Sequence, residues 1–207
     1  MADASVTGRL ITLEGMDGAG KSTHLAAIAA TLRARGHEVL VTREPGGTPL
    51  AEKLRELVLA EPMDAISETL LMFAARADHV ARAIRPALAR GVWVVCDRFT
   101  DSTLAYQGGG KGVDAGLLRA LAAQAHAGLA PDRTLLFDCS YEVSRARLKG
   151  AGRAPDRFES ESRAFFQRVR ATYQSLAAAE PARIRLIDGE QPPEKVPPQV
   201  EAALASL

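Results

Sequence analysis

One stretch near the N-terminus constrains this chain more than any other: Gly15-Met16-Asp17-Gly18-Ala19-Gly20-Lys21-Ser22-Thr23, which fits G-x-x-x-x-G-K-[ST]. It follows the apolar run Leu10-Ile11-Thr12-Leu13 and precedes Leu25, Ile28, Ala29 and Leu32 at helical spacing, so strand, glycine turn and helix are expected in succession. Polyphosphate carries several charges on closely spaced oxygens, and holding it takes many backbone N–H groups aimed at one point, a wrap that Gly15, Gly18 and Gly20 permit. A helix starting near Lys21 adds its unpaired first-turn N–H groups and the positive end of its dipole. Gly15, Met16, Asp17, Gly18, Ala19, Gly20, Lys21, Ser22 and Thr23 are therefore the expected ATP-binding residues, with Lys21 reaching the β- and γ-phosphates and the Ser22 hydroxyl ligating Mg²⁺.

The rest of the chain has to build a sheet behind that turn, and its 207 residues suffice for one domain. Further strands are expected at 38–42, 92–96, 134–138 and 183–187, alternating with helices at 50–59, 67–89 with a kink near Pro86, 114–127, 141–149, 160–179 and 199–207. Five strands alternating with helices make an α/β fold, a three-layer, doubly wound five-stranded parallel sheet. Residues 1–8 read as a flexible N-terminus without the features of a signal peptide. Residues 9–207 read as a single domain with a basic lid at about 149–158. Gly108-Gly109-Gly110 is expected to be mobile or tightly turned.

Charge excludes some partners. Lys+Arg 26 against Asp+Glu 25 leaves a net charge of +1, which supplies no general field for nucleic acid or an anionic membrane. Cys96 and Cys139 end or follow apolar runs, so they read as buried thiols in a reducing, cytoplasmic setting. No apolar run has the length of a membrane span.

Transfer of a phosphoryl group needs a second anion site in line with the first. Arg43 and Arg98 each follow a strand on the edge where the phosphate turn lies, and together they can fork onto a second phosphate. Asp97 ends the strand 92–96, where a carboxylate can hold Mg²⁺ directly or through water. Lys149, Arg153 and Arg157 border a glycine-containing segment that can close over bound phosphates.

Five motifs in order then carry a resemblance: Glu14 to Thr23, Thr-Arg-Glu-Pro-Gly-Gly-Thr from Thr42 to Thr48, Asp97-Arg98-Phe99, Ala-Tyr-Gln-Gly-Gly-Gly from Ala105 to Gly110, and Asp156-Arg157-Phe158-Glu159. Over residues 10–188 the chain resembles the thymidylate kinase family. The resemblance implies a fold of the P-loop NTPase and nucleoside monophosphate kinase type, a single P-loop kinase domain over 9–207, transfer of the ATP γ-phosphoryl group to dTMP with Mg²⁺, and a homodimer formed through the long helix. It assigns Arg43 and Arg98 to the dTMP phosphate, Asp17 to the sugar 3′-hydroxyl, Phe73 and Arg76 to the thymine, and Thr103, Tyr106 and Gln107 to the base and the 2′ side of the sugar. Many relatives place the stacking residue four before the arginine, which would be Met72. The loop carries no Arg from Met16 to Ala19, so a lid cation is implied, Arg153 by preference over Lys149. The expected catalytic set is Lys21, Arg98, Arg153 and Asp17, and the expected metal set Ser22 and Asp97. Adenine recognition is open; the loop 188–193, Arg145 and Arg147 are candidates by position. Rival readings are a kinase for another nucleoside monophosphate, or a P-loop module that binds ATP without transferring phosphate. A guanine-reading Asn-Lys-x-Asp motif is absent from the sequence.

Overall fold

The computed structural model describes residues 8–150, 152 and 156–207. Its sheet holds β1 (Leu10–Gly15), β2 (Val39–Arg43), β3 (Trp93–Asp97), β4 (Arg133–Asp138) and β5 (Ile184–Asp188) in the order β2-β3-β1-β4-β5. Every pairing is parallel. The chain leaves β1 for the β2 edge, returns through β3, and crosses β1 to reach β4. That reversal puts the end of β1 at the switch point of the sheet, where such folds open a crevice.

All six residues of β1 are buried, as a strand covered on both faces requires. Its alternation sorts the core into layers. Ile11 and Leu13 join Ile28 and Leu32 of α1 (Lys21–Ala34) and Val200 and Leu204 of α9 (Val196–Leu204) on one face. On the other face Leu10 packs with Val80, Ile84 and Phe99, and Leu136 of β4 packs with Phe166 and Val169 of α8 (Arg163–Ala179). Between these lie α2 (Pro49–Ala60), α3 (Ala65–His79), α4 (Arg85–Ala89), α5 (Thr100–Thr103), α6 (Ala115–His126) and α7 (Tyr141–Gly150).

Four local expectations change. The long helix is continuous from α3 to α4 but passes through a π-helical segment, Val80–Ile84, one turn before Pro86; proline offers no N–H, and the wider turn absorbs the disruption. The three glycines lie in a second π-helical segment, Leu104–Gly110. A Cβ at Gly109 would collide with Thr172, and one at Gly110 with the Phe165 ring. Gly109 and Gly110 allow close approach to α8, and Gly108 lies against Leu118 of α6. Helix α9 starts three residues early, with Pro197 and Pro198 in its first turn, where a missing N–H costs nothing. Gly8, expected in the flexible terminus, donates to the Leu88 carbonyl at 3.0 Å.

Candidate active site

The turn after β1 has the backbone that its glycines predict. Gly15, Gly18 and Gly20 have φ of 129°, 77° and 106°, a region that side chains avoid. A Cβ on Gly15 would meet the Phe137 carbonyl, and one on Gly18 the backbone of Ser144. Helix α1 starts at Lys21 without a side-chain cap, so its first N–H groups remain open to an anion. Lys21 is buried, and its Nζ donates to the carbonyls of Gly15 and Met16 at 2.8 and 2.9 Å. Burial, then the Arg98 charge, lower its pKa against the pull of Asp17, Asp97 and Glu14.

Beside this turn lies an open cleft that combines apolar walls with a few charged and polar side chains, the make-up of a small-molecule site. Asp17, Arg98 and Tyr106 line its end near the phosphate turn. Arg98 Nη2 donates to Asp17 Oδ1 at 2.7 Å and to Tyr106 Oη at 3.2 Å, while Nη1 donates to Ser102 Oγ at 3.1 Å. Burial opposes ionisation of Asp17, but the charges of Arg98 and Lys21, with hydrogen bonds from Arg98 and Tyr106, bring its pKa down to about 2. Arg98 itself has φ 70°, an uncommon conformation for a residue with a side chain that is worth attention beside a site.

Arg43 ends β2 opposite Asp97, on the same edge as the phosphate turn. Its guanidinium does not line the cleft, because Glu52 of α2 holds Nη2 at 2.9 Å. Sequence reasoning missed Arg55, which lines the cleft and donates to the Pro45 carbonyl at 3.1 Å. Burial, then the neighbouring charge of Arg43 with a further contribution from Arg98, lower the Arg55 pKa against Glu52, so three cations crowd one locality. The signal was present: Glu52 and Arg55 are three apart on a helix facing the Arg43 loop.

At the far end, Arg76 Nε donates to Glu44 Oε2 at 2.6 Å and Nη2 to Thr103 Oγ1 at 3.1 Å and the Phe99 carbonyl at 3.0 Å. Its Nη1 is buried and finds no partner among the described residues, although Arg76 lines the cleft. Phe73 needs correction. It packs with Val113, Leu118 and Ala122, and Met72 takes the cleft position; adjacent helix residues point about 100° apart, so only one can face the cleft. Thr103, Tyr106 and Gln107 all line it. Tyr106 reaches Asp17 Oδ2 at 3.2 Å, and Gln107 donates to Glu68 at 2.8 Å.

Asp97 offers a buried Oδ1 with no partner among the described residues, and Ser22 is exposed in the first turn of α1. An orphaned carboxylate oxygen at the end of β3 and a hydroxyl in the first turn of α1 are donor types that suit a hard divalent cation. Glu44, His79 and Cys96 also bring ligand atoms within 4.8 Å of one another, but His79 is already bonded to Glu44 and Thr42, and Glu44 to Arg76. They read as a hydrogen-bonded string that holds Arg76.

Arg153 lies outside the described residues. Lys149 is exposed in the last turn of α7. Arg157 departs from the expected flap: its Nη2 meets Glu68 at 2.6 Å and donates to the Val58 carbonyl at 2.7 Å. A buried carboxylate outcompetes solvent for it. Of the adenine candidates, Arg147 donates to the carbonyls of Gly18 and Gly189, and Arg145 to that of Glu159. Arg147 thus joins the phosphate turn to the loop after β5. Both cysteines are free and buried, and no helix among the described residues is long and apolar enough to cross a membrane.

The sequence profile of one family, Thymidylate kinase, matches residues 13–200. The chain is 59% identical over 193 residues to the thymidylate kinase of Methylobacillus flagellatus, covering 93% of this chain and 95% of that protein. It is 56% identical over 200 residues to that of Bordetella petrii, covering 97% and 96%. A crystal structure of thymidylate kinase from Ehrlichia chaffeensis superposes with a TM-score of 0.78 at 33% identity, covering 96% of this chain and 99% of that one. With the phosphate turn, the adjoining cleft and these likenesses in agreement along nearly its whole length, the chain belongs to the thymidylate kinase family.

Proposed function

We propose a division of labour for the reaction this chain performs, transfer of the ATP γ-phosphoryl group to dTMP to give ADP and dTDP. Residues 15–23 cradle the ATP phosphates and Lys21 swings from its carbonyl contacts to the β- and γ-oxygens. Arg98, backed by Asp17, holds the dTMP phosphate with Arg43 and Arg55 contributing charge from the same edge. Asp17 meets the sugar 3′-hydroxyl, and Tyr106, fixed by Asp17 and Arg98, closes the 2′ side. Met72 forms the wall of the base pocket, Thr103 and Gln107 line it, and Arg76 reads the thymine. Ser22 and Asp97 hold Mg²⁺, which when bound neutralises charge on the phosphates. Arg153 supplies the cation of the basic lid at about 149–158, and the bacterial subtype without an arginine in the phosphate loop follows from that.

The acceptor phosphate is already ionised, so no strong general base is needed, and the protein contributes positioning and charge neutralisation. The domain boundaries proposed are 9–207 for the kinase. A cytoplasmic setting is supported by the two free thiols. A homodimer is supported by Leu50, Leu57, Ile66 and Leu70 on the mutually packed α2 and α3, which are 43–50% exposed.

The observation that carries the dTMP reading is the unpartnered Nη1 of Arg76. A buried donor without a partner costs about 1–3 kcal/mol, and a pyrimidine O4 would satisfy it. The test is a dTMP-dependent ADP-release assay with ATP and Mg²⁺. Lys21→Ala should lose turnover, and Arg76→Met should raise the KM for dTMP at least tenfold with the KM for ATP unchanged. An Arg76→Met enzyme with the wild-type KM for dTMP would remove Arg76 from the acceptor site.

A further inference from the structure

Glu14 is fully buried on the central strand, directly before the phosphate turn. Three donors from two distant parts of the chain converge on its carboxylate. Oε1 accepts the Phe99 N–H at 2.7 Å, and Oε2 accepts Ser102 Oγ at 2.5 Å and Tyr173 Oη at 2.9 Å. The same two hydroxyls face Arg98 Nη1, at 3.1 and 3.5 Å. No ion pair joins Glu14 to a cation among the described residues, so its hydrogen-bonded link to Arg98 runs through those hydroxyls.

The arrangement acts on Arg98 in two ways. Its backbone sits at φ 70°, and such a residue persists only where its neighbours hold it. Here the Arg98 N–H donates to the Leu13 carbonyl at 2.9 Å, and the next N–H, that of Phe99, is taken by Glu14. Side-chain direction follows from proton count. A hydroxyl has one proton, and if a carboxylate takes it, the oxygen's lone pairs are left for Nη1. With Asp17 gripping Nη2 at 2.7 Å, both forks of the guanidinium are then fixed.

We propose that Glu14, through Ser102 and Tyr173, is a positioning residue that aims the Arg98 guanidinium at the acceptor phosphate. The proposal rests on the reading of Arg98 as a dTMP-phosphate residue. Burial and the Asp101 charge raise the Glu14 pKa to about 7 against the hydrogen bond from Ser102 and the Arg98 charge, so the acceptor-only carboxylate of the proton count is the form that prevails above that pH. Such a group is of little use to stability alone, since replacing a buried ionic group by an apolar one is often neutral.

The test compares Glu14→Gln, Tyr173→Phe, their double variant and Arg98→Ala by steady-state kinetics, with thermal melts on each. Glutamine keeps the shape but presents an amide donor, so the hydroxyls must turn their protons elsewhere and compete with Nη1. Glu14→Gln should raise the KM for dTMP about tenfold and Tyr173→Phe about threefold, with the KM for ATP within twofold of wild type. The double variant should be no worse than Glu14→Gln. A purely structural role would lower the folded fraction and kcat and leave both KM values in place; that result overturns the proposal. If Glu14→Gln does not fold, Tyr173→Phe decides alone, and a wild-type KM for dTMP in it overturns the proposal. Should Arg98→Ala leave the KM for dTMP unchanged, the reading of Arg98 fails first and the proposal with it. A raised KM in Arg98→Ala beside unchanged values in the other variants overturns the proposal only.

Discussion

Glu68→Gln should be the costliest single-charge change outside the phosphate turn. The Glu68 carboxylate is 0% exposed and accepts from Gln107 at 2.8 Å, from Lys111 at 2.8 Å and from Arg157 at 2.6 Å. Neutralising it leaves two cations, 16% and 22% exposed, with no carboxylate between them. Removing one partner of a buried pair costs about 3–5 kcal/mol, and the partial exposure of both cations brings the value to the lower end, about 3 kcal/mol. For a chain of this length each kcal/mol moves the Tm by about 2–4 °C, so a fall of about 6–12 °C is expected. Arg9→Met serves as the control: its pair with Asp132 is 42% and 32% exposed and should cost under about 1 kcal/mol. Calorimetry and urea unfolding measure both. Because Gln107 and Phe158 line the cleft and the Phe158 ring lies 4.8 Å from Arg157 and 5.3 Å from Lys111, the KM for dTMP should rise as well. A Glu68→Gln protein melting within about 2 °C of wild type would refute the claim that this carboxylate compensates buried charge.

Gly109→Ala should lower stability by about 1–3 kcal/mol through overpacking against Thr172, read from the urea midpoint; an unchanged midpoint would mean the contact relaxes freely. Asp17 gives a pH signature. Its pKa is lowered in the fold from 3.8 to about 2, so its contribution is complete above the unfolded value and is lost as pH falls from about 4 to about 2. The stability gap between wild type and Asp17→Asn should thus be on the order of 1–2 kcal/mol at pH 6, after discounting for the 32% exposure of the side chain, and should close toward pH 2. A gap that is constant with pH would contradict the ion pair with Arg98.

Much of this was legible because it is local. The phosphate turn, the near-continuous strands and the alternation of strand and helix follow from neighbours a few residues apart, and so did the sheet. The misreadings came from tertiary partners. Met72 and Phe73 are equally apolar, and only the packing of α6 against α3 decides which one the core takes. Three consecutive glycines read equally as mobile or tightly turned chain, and only α8 lying against Gly109 and Gly110 decides for the turn. Arg157 read as a free flap cation because Glu68 is 89 positions away in sequence (157 − 68). Glu14 carried no role in the sequence beyond opening the phosphate motif, since its partners Ser102 and Tyr173 are 88 and 159 residues off.

If Arg76 reads the thymine as proposed, its end of the cleft is where that long-range order turns into specificity. Thr42 bonds His79 at 2.8 Å, His79 bonds Glu44 at 2.9 Å, Glu44 bonds Arg76 at 2.6 Å and Arg76 bonds Thr103 at 3.1 Å, so the guanidinium is clamped from the sheet, two loops and two helices. It cannot turn away from an unsuitable ligand. Its one open donor, Nη1, wants an acceptor. Uracil and thymine present O4 at the pyrimidine 4-position, whereas cytosine presents an amino group, and two opposed donors leave each other unsatisfied. That mismatch is worth about 1–3 kcal/mol, or roughly 5- to 150-fold in kcat/KM. dUMP and dCMP share the sugar, the phosphate and the missing methyl and differ at the 4-position and in the N3 proton, so it is the change of their ratio on removing Arg76 that isolates the 4-position. The wild-type enzyme should prefer dUMP over dCMP by a factor in that range, and Arg76→Met should bring the ratio near one by losing dUMP activity without a matching loss for dCMP. A ratio that survives the substitution would mean the base is read by some other group, and that the orphaned Nη1 is not the specificity element.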